Sequence, residues 1–320
     1  MIKPNDQESK KFRSGFVALT GRPNAGKSTL VNQMAKMDLA IVSYKPQTTR
    51  TAIRAIIDEP DGQMILTDTP GILKPKNRLG QYMADTINRT VMDADVVILL
   101  ADAKEEDRRK GRQGTEQMML ERLRESNKPV ILVLNKVDLI PKEALLPMIA
   151  HWSKVYPFEA IVPVSAKSGD GIDVLKKEIL DRLPEGPRYF PEDTLTDQTE
   201  RVLASELIRE QILRQVNEEI PHGTAVVINS FEEEFDGCKT CAEDSERTMV
   251  LIDATILCEK DSHKGILIGK GGSKLKSIGT AARLSIEKML DCRCYLELSV
   301  KVREDWQNRP GILKDIGLSP

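Results

Sequence analysis

Apolar residues in the first half of the chain recur in two rhythms. Short β-branched runs at residues 16–20, 53–57, 64–67, 95–101, 130–134 and 161–164 have strand length. Between them lie segments of helical period that start near Lys27, Leu79, Gln113, Lys142 and Ile172. Strand then helix, repeated, predicts a doubly wound α/β domain. The second run leads into the third through Pro60-Asp61-Gly62, short enough for an antiparallel hairpin at a sheet edge, so a mixed sheet is expected.

The pattern breaks near residue 185. Residues 183–191 hold three prolines and a glycine in nine positions, so neither a helix nor a central strand runs through them. Beyond the break, Val202, Leu203, Leu207, Ile208, Ile212, Leu213 and Val216 fall at helical spacing, followed by strand-like runs at 224–229 and 249–257. The organisation predicted is a first domain over 12–183, a linker over 184–198 and an α+β second domain over 199–320.

Composition narrows the class. With 320 residues, 40% hydrophobic and 30% charged, the chain can fill two cores, which excludes disordered and fibrous proteins. Its 47 basic and 49 acidic residues give a net charge of −2, so any nucleic-acid surface must be local. The first fifteen residues contain no apolar run and the longest apolar runs have strand length, so neither an export signal nor a membrane span is expected. Five cysteines, an odd and small number, read as free thiols in a reducing compartment.

Against that background, Gly21-Arg-Pro-Asn-Ala-Gly26-Lys27-Ser28 fits G-x-x-x-x-G-K-[ST] between a predicted strand and a predicted helix. Gly21, Asn24, Ala25 and Gly26 would form a backbone cradle around phosphate oxygens at a helix N-terminus. Lys27 would reach the β- and γ-phosphates, with Thr29 just inside the helix, and the Ser28 hydroxyl can ligate Mg²⁺. Asp68, Thr69, Pro70 and Gly71 follow another apolar strand. A carboxylate at Asp68 can hold a Mg²⁺-bound water, and the backbone at Gly71 can sense a γ-phosphate.

Two further strand ends choose the base. In Asn135-Lys136-Val137-Asp138 the Asp138 carboxylate can accept from guanine N1–H and its 2-amino group, donors that adenine does not present together. Asn135 can brace the loop and Lys136 can lay its stem across the purine. Ser165, Ala166 and Lys167 can offer a backbone N–H to guanine O6. GTP is therefore expected over ATP.

These four elements make the first domain resemble the translation-factor-type small GTPases. The resemblance implies a threonine that ligates Mg²⁺ when GTP is bound; Thr49 in Pro46-Gln-Thr-Thr-Arg50 matches, with Thr48 as the alternative. It implies catalytic roles for Lys27, Thr49 and Gly71. Ile72 stands where Ras-like enzymes carry a water-orienting glutamine, so slow intrinsic turnover is expected. Two readings of Asn24 stay open: the side chain holds a potassium ion against the phosphates, as in similar GTPases with asparagine there, or it merely suits the loop's backbone angles.

A second motif lies near the C-terminus. Ile268-Gly269-Lys270-Gly271-Gly272 places G-x-x-G between helix-like stretches, the pattern of KH domains, whose glycine turn lets a nucleic-acid backbone approach while about four nucleotides are clamped. From Lys264 to Ile286 there are five basic residues and no acid. Lys270, Lys274 and Lys276 join Ile268, Gly269, Gly271 and Gly272 as the candidate RNA-binding set.

A small GTPase followed by one KH domain is similar to the Era family of bacterial ribosome-assembly GTPases over essentially the whole chain. That resemblance implies a type II KH domain, binding to the 3′ end of 16S ribosomal RNA, action on the 30S subunit during assembly and rRNA maturation, Mg²⁺ as cofactor and a cytoplasmic monomer. Peripheral membrane association stays open. A tRNA-modifying GTPase would not need a KH groove, whereas an RNA-binding checkpoint with negligible turnover stays compatible with Ile72. Cys238-Lys-Thr-Cys241 and Cys292-Arg-Cys294 depart from the family pattern; an inert loop insertion is favoured over zinc, for which C-x-C is an awkward half-site. His151, His222 and His263 share no motif spacing and read as structural.

Overall fold

The computed structural model describes residues 11–37, 39–41, 45, 48–50, 52–71, 75–108, 114–217, 220–236 and 247–318. Two compact units emerge. The first comprises Met1–Ala40, Ala52–Ile72 and Thr86–Asp197; the second comprises Ile41–Thr51, Leu73–Asp85 and Gln198–Pro320. Two stretches from the first half of the sequence thus group with the second unit.

In the first unit, β1 (Arg13–Gly21), α1 (Lys27–Ala35), β2 (Ile53–Glu59), β3 (Gly62–Asp68), α2 (Arg78–Asp93, grouped with the second unit as far as Asp85), β4 (Val96–Asp102), α3 (Ala103–Arg108), α4 (Gly114–Ser126), β5 (Val130–Asn135), α5 (Leu145–Val155), β6 (Ala160–Pro163) and α6 (Ile172–Leu180) follow in chain order. The sheet order is β2-β3-β1-β4-β5-β6. β2 and β3 form the predicted antiparallel hairpin, and the remaining pairs are parallel. α3 was not visible in the periodicity, because Ala103-Lys-Glu-Glu-Asp-Arg108 carries no apolar repeat.

Burial on both faces explains the continuous apolar runs, since period two sends alternate residues to opposite cores. Val17, Leu19, Ile98, Leu100, Ile131 and Val133 pack with Leu30 of α1 and Leu175 of α6. Ala18, Val97, Leu99, Leu132 and Leu134 pack on the other side with Leu123 of α4 and Trp152 of α5.

The proline-rich stretch is an ordered strap on this unit. Arg13 donates to the Leu183 carbonyl at 2.6 Å, and Ser14 Oγ donates to that of Pro187 at 2.5 Å. Further on, Ile56 N–H donates to the Leu195 carbonyl at 2.9 Å and Thr196 Oγ1 donates to the Arg54 carbonyl at 2.6 Å. These are outward groups of β2, whose other side pairs with β3. The fully buried Gln63 is the strap's anchor. Its Oε1 accepts from Tyr189 N at 2.9 Å and Phe190 N at 3.0 Å, and its Nε2 donates to the Phe190 carbonyl at 3.0 Å.

The second unit has α7 (Glu200–Gln215), β7 (Thr224–Phe235), β8 (Arg247–Cys258), α8 (Asp261–Ile268), α9 (Ser273–Leu290), β9 (Arg293–Val302) and α10 (Pro310–Asp315). β7 pairs antiparallel and β9 parallel to β8. The α-β-β-α-α-β order is that of a type II KH fold. Thr199 caps α7, its hydroxyl accepting from Val202 N. Ala204, Ile208 and Ile212 of α7 meet Ile278, Ala282 and Ile286 of α9 over the sheet. β7 runs six residues beyond the predicted 224–229, past a register shift between Ile228 and Ser230 that the apolar pattern did not reveal.

Replacing Gln63 by alanine strands two strap N–H groups, so Gln63→Ala should cost on the order of 3 kcal/mol. Urea unfolding of the variant beside wild type measures this; a loss below about 1 kcal/mol would mean that the strap is held elsewhere.

Candidate functional site

The phosphate-type loop between β1 and α1 is shaped by close backbone approach. Gly26 has φ 98°, and a Cβ built on it would lie 2.3 Å from Asn135 Nδ2, so both conformation and space demand glycine. Asn24 also takes left-handed angles (φ 63°), which asparagine tolerates well. The buried Lys27 ammonium donates to the Gly21 and Arg22 carbonyls at 3.2 and 3.0 Å, within the loop. Burial pulls its pKa below the ordinary lysine range, while the Asp68 carboxylate opposes that shift.

Next to it, Ser28 Oγ donates to Asp68 Oδ2 at 2.8 Å. A hydroxyl and a fully buried carboxylate are hard oxygen donors, a set that fits Mg²⁺. Thr69 Oγ1 donates to the Leu19 carbonyl at 2.7 Å and fixes the turn after β3. At Gly71 a Cβ would stand 2.9 Å from Pro23 of the loop.

Asn135 joins three strand ends. Its Nδ2 donates to the Ala25 carbonyl at 2.8 Å and its Oδ1 accepts from Ala166 N at 3.0 Å, with the side chain buried. Val137 N–H donates to the Val164 carbonyl at 3.3 Å, tying the 135–138 turn to the 165–167 turn. Asp138 and Lys167 are exposed.

Lys136 Nζ donates to the Asn24 carbonyl at 2.7 Å and to Asp102 Oδ2 at 2.6 Å. Asp102 was missed in the sequence. Its Oδ1 accepts from Lys104 N and caps the short α3 while Oδ2 holds the lysine. The available signal was a carboxylate ending the apolar strand β4, which the parallel register sets beside Asn135.

Lys27, Ser28, Asp68, Thr69, Gly71, Asn135, Lys136 and Ala166 thus share the carboxyl ends of parallel strands in the first unit, the position where ligands bind open α/β sheets. Thr49 is placed otherwise: it is buried and groups with the second unit. In that unit Arg50 donates to the Thr224 and His222 carbonyls at 2.5 and 2.8 Å and lies 5.6 Å from the centre of the Trp306 ring. Lys45 Nζ donates to the Leu213 carbonyl at 2.5 Å, at the C-terminal end of α7. Ile72, expected to replace a water-orienting glutamine, lies outside the described residues.

The G-x-x-G turn joins α8 to α9 in the second unit. Gly269, Gly271 and Gly272 all have positive φ, at 72°, 58° and 78°. A Cβ at Gly269 would meet Lys274 Cβ at 2.7 Å, whereas nothing stands within 4 Å of one at Gly271 or Gly272. Gly271 is therefore open to an approaching backbone. Lys270 and Lys276 are exposed; Lys274 reaches the Gln215 carbonyl at 3.3 Å, and Ile268 is half-buried at the end of α8. Arg283, counted among the local basic residues, forms a two-contact pair with Glu287, 2.8 Å to each oxygen.

Among the described cysteines, Cys258, Cys292 and Cys294 are free, and burial raises the Cys294 thiol to about 11. Cys238 and Cys241 lie outside the described residues, and among the described residues no group of three metal-ligating side chains forms. No described helix is long and apolar enough to cross a membrane.

Fold and site together define a P-loop GTPase joined to a KH unit. The family model "50S ribosome-binding GTPase" matches residues 16–136, and a KH domain model matches 219–307. The chain is 48% identical to GTPase Era of Ruminiclostridium cellulolyticum, covering 96% of this chain and 97% of that one. It is 45% identical to GTPase Era of Heliobacterium modesticaldum with the same coverage. Among solved structures, an Aquifex aeolicus Era variant bound to GDP and aluminium fluoride superposes with TM-score 0.88 at 37% identity, covering 96% of this chain and all of that one. An Era complexed with MgGDPNP and nucleotides 1506–1542 of 16S ribosomal RNA matches at TM-score 0.88 and 38% identity, over 97% of this chain and all of that one. The chain belongs to the Era family of GTPases.

Losing a charge-assisted hydrogen bond costs about 1.5–3 kcal/mol, so Asp102→Ala should weaken GDP binding by one to two decades, mostly through faster release. Asp102→Asn, which keeps an acceptor for the α3 cap, should lose less. Stopped-flow release of a fluorescent GDP analogue checks both, and an unchanged rate in the alanine variant would remove Asp102 from the site.

Proposed function

We propose that this GTPase uses its second unit to bind the 3′ end of 16S ribosomal RNA and acts in assembly of the 30S subunit, hydrolysing GTP slowly to GDP and phosphate. The observation that carries the reading is the combination, in one chain, of a phosphate cradle bridged to base-selecting turns by Asn135 with an open, glycine-rich KH turn. The likeness to an Era complexed with an rRNA fragment and MgGDPNP supports it.

In this reading the 21–29 loop and residues 68–71 hold the phosphates, while Asn135, Lys136, Asp138 and the 165–167 turn hold guanine. Ser28 and Asp68, the latter through a water, would hold Mg²⁺, joined by Thr49 when GTP is bound. The ion supplies neutralisation of phosphate charge. Lys27, now occupied by carbonyls of its own loop, would exchange them for phosphate oxygens, and Gly71 N–H would sense the γ-phosphate. The left-handed backbone of Asn24 supports a loop-shaping role, and a potassium ion held by its side chain against the phosphates is the alternative. The KH contact would be made by residues 268–272 with Lys274 and Lys276. The functional division is placed at 12–183, 184–198 and 199–320, in a monomeric cytoplasmic protein whose peripheral membrane association would be an added property.

Asp138→Asn exchanges an acceptor for an amide and should lower GTP affinity by one to two decades while favouring xanthosine triphosphate. Competition binding with the two nucleotides measures this, and unchanged GTP affinity would take Asp138 out of the base site.

For the RNA site, Lys270→Asp with Gly271→Asp places two carboxylates in the turn. Loss of one lysine contact lowers the salt slope by about one phosphate unit, and the acids weaken binding further. GDP affinity should stay near wild type. Binding of the double variant to a 16S 3′-end oligonucleotide, beside its GDP affinity and melting temperature, is the test. Wild-type RNA affinity in a folded variant would overturn the assignment.

A further inference from the structure

Within the second unit a small cavity of about 20 Å³ lies between α7, β7 and the segment after α10, lined among others by Arg50, Glu206, Arg209, Val226 and Leu318. That volume admits one group about the size of a water molecule. Two arginines line it, and each residue is 3% exposed. Arg209 is paired: its Nε and Nη2 donate to Glu206 Oε1 and Oε2 at 2.9 and 2.6 Å. Among the described residues Arg50 hydrogen-bonds to neutral carbonyls, those of Thr224, Pro221 and His222, and lies over the neutral Trp306 ring. The lining therefore carries two positive charges and one negative. Each arginine also keeps one buried N–H without a partner among the described residues, Nε in Arg50 and Nη1 in Arg209.

An uncompensated charge and two unmade hydrogen bonds in a buried place are costly, and the cost falls if a counter-charge enters. Repulsion from Arg209 is one of the two causes, after burial, that push the Arg50 pKa down to about 9, with Glu206 opposing both. At neutral pH Arg50 stays protonated, so the excess charge persists. Water could satisfy the two N–H groups but would leave that charge in place.

We propose that this cavity is a binding site for a small monovalent inorganic anion, of halide size, held between the guanidinium groups of Arg50 and Arg209. The Glu206 carboxylate, turned into its fork with Arg209, limits the site to a single negative charge and weakens it. The size of the cavity excludes bulky carboxylates such as gluconate. Because Arg50 belongs to the 48–50 segment, the anion would also fasten that segment to α7 and β7.

The site can be tested on the full-length protein with bromide as probe. Crystals grown in sodium bromide should show an anomalous peak between Arg50 and Arg209. Melting temperature at constant ionic strength should rise saturably as gluconate is replaced by bromide, with half-saturation in the millimolar range. A general salt effect would instead run linearly to much higher concentration. Glu206→Gln removes the competing charge and should shift half-saturation to roughly tenfold lower bromide, whereas Arg209→Met should abolish the response. Should Arg209→Met fail to fold, the anomalous map and Glu206→Gln still decide. Absence of a peak together with a linear salt response, a peak without stabilisation (an adventitious ion only), or a response that Glu206→Gln leaves unmoved would each overturn the proposal.

Discussion

The nucleotide-type site depends on one close approach, the Asn135 side chain against the backbone of Gly26. The absent Cβ makes room for Nδ2, which donates to the Ala25 carbonyl, while Oδ1 accepts from Ala166. One buried amide thereby sets the distance between the loop that can cradle phosphates and the turns that can read a base. Neither loop has an apolar core of its own; their spacing is inherited from the register of β1, β4 and β5 beneath them. The lysine following Asn135 adds a second tie to the same loop, at Asn24, and Asp102 fixes that lysine in turn.

Much of this was legible because the chemistry is local in sequence. Each strand of the first unit falls within a few residues of its apolar run, and four motifs sit at strand ends, where a parallel sheet brings them together. What stayed hidden depends on partners far along the chain. Asp102 is only the polar residue after an apolar run until β5 is laid beside β4. Gln63 looks like one polar residue in a hairpin until residues 189 and 190 return to it. On α7 the apolar stripe was correct for Leu203, Ile208 and Ile212, but Glu206 and Arg209 also lie buried, against the rule that charged positions mark the solvent face. Their burial is tolerated because they form a two-contact pair, which no helical-wheel argument displays.

The two G positions of the KH turn, Gly269 and Gly272, show how one motif letter stands for two physical demands. Gly269 needs both left-handed angles and space, since Lys274 closes on it from the start of α9. Gly272 needs the angles alone and faces open surroundings. The first is a requirement of the fold, and the second leaves backbone accessible to a ligand. A pattern match scores both alike, whereas a side chain added at each has a different effect.

The strap bears on how this chain resists self-association. β2 is the terminal strand of the six-stranded sheet and would present unpaired N–H and C=O groups along its outer side, a template for pairing with another molecule. Leu195 and Thr196 take up the outward groups of Ile56 and Arg54, so the stretch that leads from one unit to the next also seals the sheet. Its length up to residue 196 is fixed by that task, and slack between the units can be introduced only beyond it. Evolutionary or engineered insertions in the connector should be tolerated on one side of Asp197 and expose a sticky edge on the other.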